Sequence, residues 1–413
     1  ASLRNTGRVF GLNTRELDHL SKMVPPRLGI TIAESLKESR MLSQYYNESE
    51  KNKLLIDTAM AIEGLPRHTS THAAGVVICD LPLTETIAIQ EGHNGIHLTQ
   101  FPMETLEELG LLKMDFLGLR NLSLMERVLN AVKKTNSGKN FDIKQIPMQD
   151  AKTLAMLGNG DTNGIFQFES EGMKNVLKRL KPERFDDLVA VNALYRPGPM
   201  DNIPAYIKRR HGEEAVRYLH PDLQPILEST YGIIVYQEQI IQIASKFAGF
   251  SLGQADLLRR AVSKKKADVL EEQRVHFVEG CIKQGYKQEI ANSIYDYIVK
   301  FANYGFNLSH AVAYSMIAYQ LAYLKAHYPQ YFMASLMSSV IGNDTKLSQY
   351  VRDLKRMNLP LLPPSINKSG YAFQSEVSGI RYSLAAIKGV GGVAVRDIMQ
   401  ARNLERFKDL FDF

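Results

Sequence analysis

The sequence predicts an α+β chain that is mostly helical, and three observations carry that expectation. Amphipathic helical spacing fills residues 1–66 and returns from about Asn121 onward. Between these regions, "HAAGVVICDLPL", "IHLTQFPM" and "GLLKMDFLGL" are short, β-branched and bounded by Gly, Pro and Asp, which are strand signals. At 413 residues the chain also exceeds the length at which a single core stops growing, so two to four domains are expected.

The elements follow in order. "ASLRNTGRVFG" reads as the middle of a helix, so the expectation is a piece excised from something longer. "TRELDHLSKMV" comes next, with Thr14 as its cap and Pro25-Pro26 as its stop, and "TIAESLKESR" starts at Thr31 with Glu34 in capping-box register. After the strand block, "SLMERVLNAVKK", "EGMKNVLKRL", "RFDDLVAVNALY", "QEQIIQIASKFAG" and "AVAYSMIAYQLAYLKAHY" read as helices. Pro and Gly punctuate them at "YRPGPM" and "LPLLPPS". From about Gly370 a small terminal module begins. There Gly389-Val390-Gly391, set between two apolar-patterned helices, fits a helix-hairpin-helix whose glycines let backbone amides approach a DNA phosphate. A plain turn between helices is the competing assignment. No internal repeat or low-complexity tract is present.

Composition excludes several classes. Hydrophobic residues at 45% and charged residues at 23% are those of a soluble globular protein. The longest apolar helical stretch stops at Lys325 and His327 and is too short and polar to span a bilayer, and no signal peptide is expected. Cys79 and Cys281 have no neighbour at metal-ligand spacing and fit a reduced, cytoplasmic protein. The net charge of +6 points toward polyanionic partners. Its distribution says more: between Asp256 and Lys266, Arg259, Arg260, Lys264, Lys265 and Lys266 face a single acid. That run is either a phosphate surface or a solvated helix face.

The apolar run "LGLLKMDFLGLRN" contains Asp115, an ionised carboxylate that is costly there unless paired. On a helix Lys113 and Asp115 would point about 200° apart. On a strand they share one face, roughly 7 Å apart, with Leu112, Met114 and Phe116 on the other. Gly110 and Gly118 bracket a run of strand length, which favours the strand. Two assignments are open: a site where Asp115 holds a metal ion and Lys113 meets phosphate, or a structural ion pair. His68-x3-His72 and His93-x3-His97 do not lie on helices, and on a strand residues four apart stand about 13 Å apart, too far to share an ion. They read as polar residues lining a groove rather than zinc ligands.

In the helical region Arg260 and Lys264 stack at i, i+4, a geometry that grips phosphate oxygens. "YGFNLSHAVAYS" puts Asn307 and Ser309 at the start of a long helix with His310 in its first turn, an anion site if its amides are free and an ordinary Ser309 cap if not. Arg196 precedes two prolines that stiffen its loop. Tyr304, Tyr314, Tyr319 and Tyr323, near helical spacing, favour core packing over base stacking.

Taken together these blocks resemble the C-family DNA polymerases, the alpha subunits of bacterial DNA polymerase III. The resemblance covers essentially the whole chain through "HAAGVVI", "GLLKMDFLGLR", "GIFQFES.GMK", "ALYRPGPM", "YGIIVYQEQ", "LLRRAVSKKK", "YGFNLSHAVAY" and "IKGVG" in family order. It implies a thumb at 1–66, the C-terminal part of a nucleotidyltransferase palm at 67–118, fingers at 119–370 and the helix-hairpin-helix region at 371–413. It implies that Asp115 is the third carboxylate of a Mg²⁺ site, with Lys113 beside it. Nucleotide contacts are implied at Arg196, Arg259, Arg260, Asn307, Ser309 and His310. DNA contacts are implied at Lys264, Lys265, Lys266, Lys388, Gly389 and Gly391. Implied partners are primer–template DNA, deoxynucleoside triphosphates and, through parts outside these residues, a sliding clamp and other replisome subunits. One departure is serious: the family's Asp-x-Asp pair occurs nowhere in these 413 residues, and the PHP domain is missing as well. One aspartate cannot fix two ions, so the chain alone is expected to be inactive. Leu308 also stands where the family often has a basic residue. The rivals are a non-enzymatic DNA-binding module built on the hairpin and a metal-dependent hydrolase using the histidines.

Overall fold

The computed structural model describes every residue except 28, 66–68, 136–138, 265, 266, 303 and 304, and every other side chain except those at 93, 104, 263, 264, 267–269 and 302. Helices dominate, and the strands among the described residues form three small sheets. The chain divides into two compact units, 1–118 and 119–413.

The first unit opens with five helices, Ser2–Val9, Thr14–Lys22, Ile32–Glu38, Arg40–Glu48 and Glu50–Ala61. Their apolar faces bury Leu3, Leu20, Met23, Ile32, Leu42, Leu55, Ile56 and Ala59 together. The second helix is capped by Asn13, not Thr14. The Asn13 side chain accepts from the backbone of Arg15 and Glu16, and Glu16 returns a carboxylate to the Asn13 amide at 2.7 Å. The Thr31–Glu34 box forms as its spacing requires.

Among the described residues, four strands and the short helices Leu83–Thr86 and Met103–Glu108 follow in this unit. β1 (Gly75–Ile78) pairs antiparallel with β4 (Leu112–Asp115), with Gly75 opposite Asp115 and Val77 opposite Lys113. β2 (Ile89–Glu91) and β3 (His97–Thr99) form a separate hairpin. Residues directly opposite share a face. One face of the β1–β4 pair therefore carries Gly75, Val77, Lys113 and Asp115. The other carries Val76, Ile78, Leu112 and Met114, all exposed. A small core of Ile87, Leu106 and Leu111, with Val77 against it, covers one end of the inner face and leaves the Gly75–Asp115 end open.

The second unit is built around one large core. At its centre the Leu308–His327 helix packs on the Phe185–Leu194 and Ala151–Gly158 helices and buries Ala311, Ser315, Ala318, Tyr319, Leu321, Ala322, Leu324 and Lys325. The uniform apolarity that gave this stretch its length in the sequence is the signature of a helix buried on all sides. After the Asp344–Arg356 helix comes a sheet that residue patterning did not foretell. β5 (Leu361–Leu362) lies parallel to β7 (Gly379–Arg381), which pairs antiparallel with β6 (Gln374–Glu376).

The hairpin differs from expectation in its first arm. The Gly392–Leu404 helix follows Gly391, but residues 383–389 form successive turns instead of a helix. Ser383 Oγ accepts from the Ala386 amide at 3.2 Å and donates to the Tyr371 carbonyl, which ties this segment to the preceding loop. Gly389 at φ 88° then reverses the chain. Among the described residues no helix is long and apolar enough to cross a membrane.

Candidate active site

The β1–β4 register sets the geometry around Asp115. Lys113 and Asp115 share a face, and their side chains meet: Lys113 Nζ lies 3.5 Å from Asp115 Oδ1. The contact spans the roughly 7 Å between their backbone positions because the long lysine side chain reaches back to the carboxylate. The lysine stem bends across Gly75 on the neighbouring strand. A Cβ at Gly75 would overlap Lys113 Cε and lie 2.8 Å from His72 Nδ1 and 2.9 Å from Asp115 Oδ1, so a side chain there would displace this cluster. The Asp115 side chain is 57% exposed. Exposed ion pairs are worth about 0–1 kcal/mol, so stability does not explain why a carboxylate stands in this run.

His72 belongs to the same cluster and was not picked out for it. Its Nδ1 accepts from the Gly75 amide at 2.6 Å and the Ala74 amide at 3.1 Å, and its Nε2 lies 3.5 Å from Lys113 Nζ. Nothing in its own neighbourhood of the sequence announces this, because the strand register brings it there. Among the described residues no group of three His, Cys, Asp or Glu side chains could hold a metal ion. Asp115 offers the hard oxygen donors that Mg²⁺ takes, but it is one ligand and does not make a metal centre alone. Of the histidines weighed for zinc, His68 and the His93 side chain lie outside the described residues.

In the second unit Asp256 straddles both arginines. Arg259 Nε donates to its Oδ1 and Arg260 Nε to its Oδ2, each at 2.8 Å, and these bonds, that to Arg259 first, pull the Asp256 carboxyl below its usual pKa. The Arg259 side chain is mostly covered, while that of Arg260 is 66% exposed. The lone acid of the basic run thus orients two guanidinium groups from one turn of helix. Lys265 and Lys266 lie outside the described residues, as does the Lys264 side chain.

Arg196, Asn307 and His310 come together around Phe306. Arg196 stacks over the Phe306 ring at 4.7 Å and donates from Nε to the Ala193 carbonyl, and burial pulls its pKa down. Phe306 meets His310 edge-on at 5.3 Å, and His310 stacks on Tyr314 at 4.2 Å. The start of the Leu308–His327 helix is not the open anion site its sequence promised. Asn307, not Ser309, is the cap, accepting from the His310 amide at 2.8 Å. Glu238 occupies part of what remains: its carboxylate accepts from the Leu308 amide at 3.0 Å and from Asn307 Nδ2 at 3.1 Å, placing a negative charge where an anion would sit. Ser309 is exposed in the first turn. Of the tyrosines, Tyr319 is fully buried with its hydroxyl bonded to Asp150 and Pro147, Tyr314 and Tyr323 are half-buried, and Tyr304 lies outside the described residues. Lys388, Gly389 and Gly391 form an exposed turn, and the space a Cβ would occupy at either glycine is open for 4 Å.

Three family descriptions match the chain in order. Residues 1–118 match the bacterial DNA polymerase III alpha NTPase domain, 121–285 the bacterial DNA polymerase III alpha subunit finger domain, and 358–413 a helix-hairpin-helix motif. The chain is similar to "DNA polymerase III subunit alpha" of Bacillus subtilis (strain 168), 58% identical over 413 residues, covering 100% of this chain and 37% of the relative. The protein of the same name in Halalkalibacterium halodurans is 52% identical over 412 residues, again covering 100% and 37%. The one in Staphylococcus aureus (strain MRSA252) is 49% identical over 414 residues, covering 100% and 39%. The chain therefore spans well under half the length of these relatives.

Proposed function

The chain belongs to the family of bacterial DNA polymerase III alpha subunits, and from that membership we propose that it carries the thumb (1–66), the C-terminal part of the palm (67–118) and the fingers (119–370) of a cytoplasmic replicative DNA polymerase, followed by a helix-hairpin-helix region at 371–413. The full-length protein would add deoxynucleotides to a primer 3′ end on a DNA template. The observation that carries this reading is the open end of the β1–β4 face, where Lys113 and Asp115 stand side by side over Gly75 in the segment matched to the NTPase domain.

The roles follow from chemistry. Asp115 would supply one carboxylate to bound Mg²⁺, whose part is to neutralise developing phosphate charge; the remaining ligands come from elsewhere in the longer protein. Lys113 is a fixed point charge for phosphate oxygen. Arg259 and Arg260, aimed by Asp256, would take triphosphate oxygens, and the Arg196–Phe306–His310–Tyr314 stack offers flat surfaces for a base or sugar. The exposed Lys388–Gly391 turn would receive duplex phosphates without reading sequence.

Primer extension tests this directly. The 413-residue chain should show no extension with Mg²⁺ and all four nucleotides, whereas the full-length protein should extend. Asp115→Asn in the full-length protein should cost roughly 10³-fold or more in rate, about 4 kcal/mol, with the melting temperature nearly unchanged. A variant that extends normally but melts earlier would make Asp115 a structural pair and leave a DNA-binding module as the better description.

A further inference from the structure

His72 is placed where a second phosphate donor is needed. Its Nδ1 lone pair is committed to the Gly75 and Ala74 amides at 2.6 and 3.1 Å, so the ring proton resides on Nε2. That Nε2–H lies 3.5 Å from Lys113 Nζ, which is itself only a donor. Two donors at this separation offer each other nothing. They are held together by the backbone bonds to His72, the Lys113–Asp115 contact at 3.5 Å and the missing Cβ of Gly75. An oxygen seated between them would satisfy both. The His72 side chain is 55% exposed, so that seat is open to solvent. The nearest acid, Asp115, approaches the ring on its Nδ1 side at 3.9 Å and leaves the Nε2 side clear.

We propose that His72 Nε2–H and Lys113 Nζ together seat one non-bridging phosphate oxygen of the incoming nucleotide beside Asp115. The inference rests on the polymerase reading and names a residue that reading did not use. A charge-assisted pair of donors is worth most where negative charge grows, so the contribution belongs to the incorporation step more than to ground-state binding.

The experiment uses the full-length protein with His72→Asn. Asparagine can keep an acceptor near the position of Nδ1 for the two backbone amides, but it has no atom at Nε2. Incorporation should fall roughly 10- to 100-fold in kcat, with primer–template affinity unchanged and the melting temperature within about 2 °C of wild type. Wild-type kcat/KM in a stable His72→Asn protein would overturn the inference and leave His72 as a turn former. Should that variant melt early, the unaltered protein decides. Carbethoxylation of His72, mapped by mass spectrometry, should slow at least about fivefold when primer–template and a nucleotide are bound, and an unchanged rate would also overturn it. A full-length wild-type protein that fails to extend a primer would sink the polymerase reading instead, a result distinct from either of these.

Discussion

Lys325 shows what a single residue contributes beyond the site. It is 1% exposed on the central helix, and its ammonium donates to the carbonyls of Asp161 at 2.9 Å and Asn163 at 2.8 Å. Burial pulls its pKa down to about 8, against the partial support of Asp353 and Asp161. An unfolded lysine titrates near 10.4. Between these values the native chain holds fewer protons than the unfolded one, so the cost of burying the charge is full below pH 8 and fades as pH rises toward 10.5. In Lys325→Met that pH dependence disappears, although two carbonyls lose their donor. Chemical denaturation of both proteins at pH 7.5 and pH 10 should show wild type gaining roughly 2 kcal/mol relative to the variant. A stability difference that stays constant across this range would rule out the depressed lysine.

At the scale of elements, helix ends carry most of the specific chemistry. The Leu308–His327 helix begins where Glu238, seventy residues earlier in sequence, meets its first amide. Glu238→Ala should leave that amide and Asn307 Nδ2 without their acceptor and cost about 1–2 kcal/mol, whereas Glu238→Gln, which keeps one acceptor, should cost less. Urea denaturation measures both, and equal costs would show that one acceptor and the side chain's bulk preserve nothing without the full carboxylate. The hairpin glycines separate by conformation. Gly389 at φ 88° needs glycine for its backbone, so alanine there mixes strain with any loss of DNA contact. Gly391 at φ −79° is in an ordinary region with open space around it. Gly391→Ala should therefore leave the melting temperature alone and raise the duplex Kd several-fold if a phosphate comes up to that backbone. An unchanged duplex Kd would mark the segment as a structural turn.

At the scale of the whole chain, what was legible in the sequence is what local pattern controls. Period-two alternation put Lys113 and Asp115 on one face, and apolar continuity marked the central helix, because burial acts on neighbours along one element. The placement of His72, the filling of a helix start by Glu238 and the β5–β7 sheet depend on pairings between distant segments, and no local period encodes those. The cap at Asn13 was misplaced by one residue because Asn13 and Thr14 are both good caps and only the Glu16 carboxylate decides between them. The same distinction predicts where the molecule is soft. The β1–β4 pair has two short strands, a three-residue buried core, and an outer face on which Val76, Ile78, Leu112, Met114 and Phe116 are all exposed. A lone two-stranded sheet is marginal in water, while the central helix of the second unit is enclosed by packed side chains. Hydrogen exchange of this chain should therefore show the amides of 75–78 and 112–115 exchanging orders of magnitude faster than those of 315–325. In the full-length protein, protection of the two strands should rise if Asp115 takes the proposed part, because an edge that opens freely cannot hold a carboxylate to the fraction of an ångström that phosphoryl transfer needs. Strand amides as protected in this chain as those of the central helix would refute the expectation and show that the β1–β4 edge is preorganised without residues from the rest of the longer protein.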